Sequence, residues 1–278
     1  MKKTILLVIA LMLILTGCNS TSTDADNYYY SKKLVSAIKE EDIVAIEAII
    51  EENPDCINTY PSVMPDWLNS FLDLPRVCFP LTEACGTDNL EVVAILLQNG
   101  ADPNCNDGLT PLSETYSAKR DNWYEISKTL IEYGAKLDYV TDYSGGKVSV
   151  FRDIVKVRSG SALPGYEAES EEEVFEAFNY ALENCNLSNV DWMSVLQRSV
   201  SNDRIEIVKL LLDQGYCDVN DTSIDMTALM FAARDSTAEM VQLLLDYGAD
   251  KTYRTSDGKT AYDYAVEFNT SDVAELLD

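Results

Sequence analysis

Forty-seven acidic side chains, seven cysteines and not one histidine are what this 278-residue chain offers for chemistry. Without imidazole, neither a Ser-His-Asp nor a Cys-His nucleophile can be assembled, and the usual zinc sites lose a ligand type. No two cysteines stand as Cys-x-x-Cys, no G-x-x-x-x-G-K-[ST] phosphate loop occurs, and Gly160 and Gly165 make no dinucleotide fingerprint. Paired carboxylates can act as acid and base. At this acidic density, however, close pairs follow from composition alone. Glu171-Glu172-Glu173 reads as a helix start, where negative charge suits the helix dipole. Asp218-Val219-Asn220-Asp221-Thr222-Ser223-Ile224-Asp225 has a faint calcium-loop spacing, but lacks the sixth-position glycine and a closing glutamate. The expectation is a protein that is not an enzyme, with no catalytic residue, no metal and no cofactor. A histidine-free acidic hydrolase is kept as a third alternative.

The elements that would carry any site are periodic. Asp203 to Gly215 contains Ile205-Glu206-Ile207-Val208-Lys209-Leu210-Leu211-Leu212, and Ser236 to Gly248 repeats the pattern with Met240-Val241-Gln242-Leu243-Leu244-Leu245. Gly215 and Gly248, Leu210 and Leu243, and Thr227 and Thr260 all lie 33 positions apart. Such a period predicts a stack of small helical units, each covering its neighbour's apolar face, because one unit cannot bury that face alone. Thr227 and Thr110 stand where helix N-caps are needed, and Pro111 fits a first helical turn. Gly100, Gly134, Gly215 and Gly248 follow the leucine runs, at the place of a left-handed C-cap.

The units resemble ankyrin repeats. The clearest match is Met226-Thr227-Ala228-Leu229-Met230-Phe231-Ala232-Ala233 with Met240 to Asp250. Phe79-Pro80-Leu81-Thr82-Glu83-Ala84-Cys85 with Val92 to Asn104, and Asp107 to Leu112 with Leu130 to Ala135, are two further copies. The third copy holds three extra residues, placed between its helices around Lys119 to Trp123. Weaker copies at Lys32 to Asn53, at Val150 to Val157 with Glu171 to Glu183, at Ser194 to Gly215 and at Asp257 to Leu277 extend the array. The resemblance implies an all-α solenoid of about seven helix-turn-helix units over residues 28–278, with insertions near 60–77 and 158–170. It also implies a protein-binding function, through the tips between units and the outward face of the first helices.

The front end carries an address. Met1-Lys2-Lys3 is basic, and Thr4 to Leu15 is an apolar run of twelve, shorter than the roughly 20 residues a membrane-spanning helix needs. Leu15-Thr16-Gly17-Cys18 resembles the lipobox of bacterial lipoproteins. By that resemblance residues 1–17 are a signal peptide and Cys18 is the acylated N-terminal residue. Residues 18–27 are polar and read as a flexible tether. The expected location is that of an exported bacterial lipoprotein, anchored to the cell membrane or outer membrane through Cys18, with the lipid bilayer as one partner.

The net charge of −26 becomes −28 once Lys2 and Lys3 leave with the leader. Such a surface disfavours nucleic acid and anionic lipid. It suits solubility or a basic protein partner, and an immunity-type inhibitor of a toxic, basic, secreted enzyme is the alternative reading. A monomer is expected. Cys56, Cys78, Cys85, Cys105, Cys185 and Cys217 are expected as thiols, with Cys85 in a core place matching Ala233. Tyr28-Tyr29-Tyr30 is read as packing at the array's start. Tips are expected near Asn106-Asp107, Asp142-Tyr143, Ile224-Asp225 and Ser256-Asp257. Candidate partner contacts are Trp67, Tyr116, Trp123, Tyr143, Trp192 and Met230, because aromatic and methionine side chains anchor interfaces; Glu114 and Gln197 join them as outward first-helix positions.

Overall fold

Apolar side chains recurring at helical spacing, with capping side chains before several runs and a left-handed glycine after four of them, fold this chain into paired helices. The computed structural model describes residues 22–59, 79–106, 109–118, 121–137, 140–143, 146–156, 170–268 and 271–278. The leader, Cys18, Cys78, Trp67 and both expected insertions lie outside the described residues. Seven helix pairs are present among the described residues, divided between two compact units, Met1–Cys105 and Asn106–Asp278.

In the first unit, α1 (Ser22–Lys39) packs on α2 (Ile43–Glu52) and on α3 (Pro80–Thr87), which carries α4 (Leu90–Gln98). Leu34, Ile38, Ile46, Leu81 and Leu96 form its core. The sequence reading placed the ordered start at Tyr28, but α1 reaches back to Ser22. Nothing in Ser22 to Asn27 breaks a helix, since the stretch has neither glycine nor proline. The Tyr30 hydroxyl donates to Glu52 at the end of α2, and Tyr29 stands edge-on to Tyr30 at 5.4 Å, as expected for packing at the start of the array.

The second unit holds α5 (Pro111–Ala118), α6 (Trp123–Glu132), α7 (Val150–Ile154), α8 (Glu171–Asn184), α9 (Trp192–Ser201), α10 (Ile205–Asp213), α11 (Ala228–Asp235), α12 (Ala238–Asp246), α13 (Ala261–Phe268) and α14 (Ser271–Leu277). The first helices α5, α7, α9, α11 and α13 pack one on the next, and each bears its own second helix. This is the repeated stack that the period predicts. The Thr110 and Thr227 side chains accept from the amides of Ser113 and Met230, so both cap as expected. Gly100 at φ 88° and Gly248 at φ 84° end their helices in the left-handed region, where a side chain would be strained.

Two antiparallel ribbons add a little strand to an otherwise helical chain. β1 (Val140–Tyr143) pairs with β2 (Gly146–Ser149), and β3 (Thr222–Ser223) with β4 (Met226–Thr227). Ile224-Asp225 therefore sits at a turn, where a tip was expected, and Asp142-Tyr143 lies at the end of β1. Asp225 accepts from the Ser256 amide and the Tyr253 hydroxyl, so two successive tips are joined.

Neighbouring repeats are also stitched by asparagines. Asn58 donates to the Gly100 carbonyl at 2.8 Å and accepts from the Asp102 amide at 2.8 Å. Asn220 donates to Gly248 at 3.2 Å and accepts from Asp250 at 2.8 Å. Both satisfy groups left open after a helix ends. Asn220→Ala is expected to lower stability by about 1 kcal/mol, the net worth of such bonds at an exposed site. Urea unfolding with an unchanged slope and a lower midpoint is the check.

The fourth pair, whose first helix has only five residues, is held from outside. Arg204 is 2% exposed and donates to the carbonyls of Val155 at 3.3 Å and Lys156 at 3.4 Å, and pairs with Glu171. Burial lowers its pKa to about 10, still fully cationic near neutrality. The guanidinium thus bridges the end of α7 and the start of α8, across the place where the sequence holds its second insertion. Phe151 adds a ring contact to Phe178 at 5.2 Å and to Trp192 at 5.0 Å, and Trp192 lies 4.4 Å from Tyr216.

Candidate functional site

A first helix has one face on its second helix, one on each neighbouring repeat, and one narrow strip turned outward. Which residues occupy that strip is a question of helical phase. Four residues after each repeat's threonine or serine stand Glu114, Arg198, Phe231 and Tyr264, counted from Thr110, Ser194, Thr227 and Thr260. All four are partly exposed on α5, α9, α11 and α13. Arg152 on α7 and Arg234 on α11 extend the strip, with the Arg234 guanidinium 5.1 Å from the Phe231 ring centre and paired to Asp235. Lys259 lies 5.3 Å from the Tyr264 ring centre and pairs with Glu267 at 2.6 Å.

The strip differs in charge from the chain as a whole. Burial first, and then the Arg152 charge, lower the Arg198 pKa from its usual value, while Asp153 opposes them. Guanidinium groups over aromatic rings are suited to stacked and bidentate contacts with a partner. Beside the strip, the β3–β4 turn presents Ile224, 89% exposed at φ 50°. A β-branched residue is strained in the left-handed region, and here it is held there on a tip.

The expected contact residues divide against this geometry. Tyr116, Trp123 and Met230 are 1%, 2% and 1% exposed, so these three expectations are corrected: they are core. Met230 follows the core residue Leu229 and is buried with it; one further residue, about 100° of helix, brings Phe231 outward. Gln197 shares the phase of Met230 and is likewise turned inward, its Nε2 buried without a hydrogen-bond partner. Tyr116 fills the place that Ala233 holds in the clearest repeat. The extra residues between α5 and α6 let Trp123 fold against it, with ring centres 5.8 Å apart. Trp192 is half-buried between Phe151 and Tyr216, so most of its surface is spent on packing. Glu114 is outward as read. Tyr143 ends β1, and Trp67 lies outside the described residues.

Arg198, Phe231 and Tyr264 were the residues missed. Their signal was present: the 33-residue period places three bulky side chains at a point where the flanking core positions hold alanine, serine or valine.

The other candidate chemistry is absorbed by the fold. In the loop with the faint calcium spacing, the Asp218 carboxylate accepts from the Asn220 amide at 2.8 Å and Asp221 accepts from the Asp218 amide at 3.0 Å. Those oxygens serve the loop's own backbone, and Asn220 serves the next repeat. Cys56, Cys85, Cys105, Cys185 and Cys217 are thiols, the first three buried. Burial pushes Cys56 up to about 11 and Cys217 up to about 12, which keeps both protonated and unreactive near neutrality.

Comparison with known proteins agrees with the repeat geometry. The family profile described as ankyrin repeats in three copies matches residues 167–255 and 196–278, and that of the single ankyrin repeat matches residues 78–108. No curated protein matches the chain in sequence. Among solved structures, the ankyrin repeat domain of human ASB11 is similar at 25% identity and a TM-score of 0.60, covering 88% of this chain and 95% of that one. The ankyrin repeat protein EF0377 is similar at 24% identity and a TM-score of 0.51, over 71% of this chain and 95% of that one. A chain in the complex of the predatory endopeptidase Bd0816 of Bdellovibrio bacteriovorus with immunity protein Bd3460 aligns at 20% identity and a TM-score of 0.44, over 88% and 96% of the two chains.

Proposed function

The chain is an ankyrin-repeat protein, and from that premise we propose that it is a lipid-anchored scaffold that binds another protein at a bacterial cell envelope. The single observation that carries the binding half is the first-helix strip. Arg198, Phe231 and Tyr264 recur in phase and stand partly exposed, whereas the residues that follow them, Ser199, Ala232 and Ala265, are buried. Large side chains kept at the surface in register are what a repeat array uses to contact a partner. The location half is supported by Leu15-Thr16-Gly17-Cys18 behind its short apolar run. A body of this charge is repelled by anionic lipid, so a covalent acyl anchor would be what holds it at a bilayer.

The test compares two soluble chains that start at Asn19: the parent, and the Arg198→Ala/Phe231→Ala double variant. Both are immobilised and exposed to envelope extract from the source cells. The parent is expected to retain a protein that the double variant loses, while the helical signal and melting temperature of the two agree. Equal recovery by both would sink this placement of the site. A retained protein that is a secreted enzyme, and whose activity falls on binding, would narrow the reading to an immunity-type inhibitor.

Ile224 offers a second check, because strain and exposure coincide there. Asn tolerates the left-handed region far better than a β-branched residue. Ile224→Asn is expected to raise stability by about 1 kcal/mol and to weaken partner recovery. A destabilised Ile224→Asn chain would show that the tip is not strained.

A further inference from the structure

The second helices of the third and fourth pairs leave a groove between them. It measures about 580 Å³ and runs between α6 and α8. Its floor and walls are aromatic and apolar, from Tyr116, Tyr124, Ile131, Ala177 and Tyr180, and its rim holds Glu132, Glu176 and Glu183 against Lys128. Tyr180 is 43% exposed, a large ring left facing solvent beside a concavity.

The groove does not neutralise its own charge. Lys128 is already paired with Glu125 at 3.1 Å and lies 4.9 Å from the Tyr124 ring centre. Tyr124 donates to Glu176, and burial together with that bond pushes its phenol up to about 12, so it stays a neutral donor. At the same end, burial and then the charges of Glu125, Glu176 and Glu172 raise Glu173 above the usual carboxylate range. Carboxylates are thus crowded beside an apolar trough with no spare cation on it, and the excess of negative charge is complementary to a positive ligand. A small anion or an apolar helix would leave that charge uncompensated. A lysine or arginine with its long apolar stem fits both parts: the stem against the tyrosine rings, the head among the carboxylates.

We propose that the groove between α6 and α8 binds a basic peptide segment of a partner protein. Lysine or arginine stems lie against Tyr124 and Tyr180, and their charged heads are held by Glu132, Glu176 and Glu183. This rests on the reading of the chain as a protein-binding scaffold, and gives it a second contact surface that selects partners of opposite charge to the body.

The probe is a fluorescein-labelled ten-residue peptide of alternating leucine and arginine, with the leucine–glutamate peptide as its counterpart. Anisotropy is read on the soluble full chain from Asn19 at moderate salt. The arginine peptide is expected to bind and the glutamate peptide not to. Glu176→Gln/Glu183→Gln is expected to weaken binding about tenfold, and Tyr180→Ser to weaken it severalfold. Glu47→Gln/Glu51→Gln, which removes two charges from α2, is expected to leave it within about twofold, since neither side chain lines the groove. All the altered side chains are exposed, so melting temperatures should agree. Equal weakening by the α2 pair would show general charge attraction and overturn the site, as would full binding by the groove variants or binding of the glutamate peptide. The Arg198→Ala/Phe231→Ala chain should still bind the arginine peptide. If that double variant loses no protein from extract while the groove result holds, the first-helix reading fails and the groove stands.

Discussion

Cys18→Ala is expected to release the protein completely from the membrane fraction and to abolish incorporation of labelled palmitate. On the proposed reading the acyl chains on Cys18 are what holds the protein at the bilayer, and the substitution removes them. The apolar run before Cys18 is twelve residues, too short to stay behind as a spanning helix. No helix among the described residues is long and apolar enough to cross a membrane. With residues 1–17 removed, as proposed, the body would carry a formal charge of −28 and add only repulsion. Each buried methylene contributes about 0.8 kcal/mol, so more than one acyl chain gives stable attachment and their loss leaves almost none. Cell fractionation of the parent and the variant is the measurement, with Cys217→Ala as the control that should change neither signal. Persistent membrane association of Cys18→Ala would remove the lipid anchor from the proposed function and leave the scaffold reading intact.

Phe151→Ala is expected to cost about 4 kcal/mol, the range for truncating a buried aromatic. The cost should fall unevenly along the array. Phe151 is 1% exposed and sits in the five-residue α7, where it touches Phe178 of its own repeat and Trp192 of the next. A repeat array has stability close to a sum of units and the interfaces between neighbours. Removing the ring weakens both the fourth unit and its interface with the fifth. Two unfolding transitions are therefore expected, against one for the parent, with the earlier of them reported by Trp192, whose ring loses a partner. Arg204 does not compensate, because its bonds fix the ends of α7 and α8 and not their packing. Urea unfolding followed by tryptophan fluorescence and by helical signal would separate the two. A single coincident transition, or a loss under about 1 kcal/mol, would mean that the fourth unit is held elsewhere.

The sequence is most legible where one residue has one physical duty. A glycine after a leucine run must supply a left-handed turn, and a threonine before an apolar run must cap it. Gly100, Gly248, Thr110 and Thr227 could therefore be placed by inspection. The period identified the stack because equal spacing of such duties has no other cause. Reading failed where a side chain's direction decided its role. Met230 and Phe231 are adjacent, both large and both apolar, and composition gives no reason to prefer either as the outward one. The burial of Tyr116 and Trp123 also needed knowledge of two helices at once, since each fills space that the other opens.

The sequence alone determined the repeat class, the count of helix pairs, the caps and the acidic charge, because these are local patterns or sums. The tertiary structure alone decided which face is outward, which tyrosines are core, and that a tyrosine-floored acidic groove opens between α6 and α8. The physical reason is helical geometry: at about 100° per residue, a one-position change in phase moves a side chain from a packed neighbour to solvent, and only the packing of one helix on the next fixes that phase.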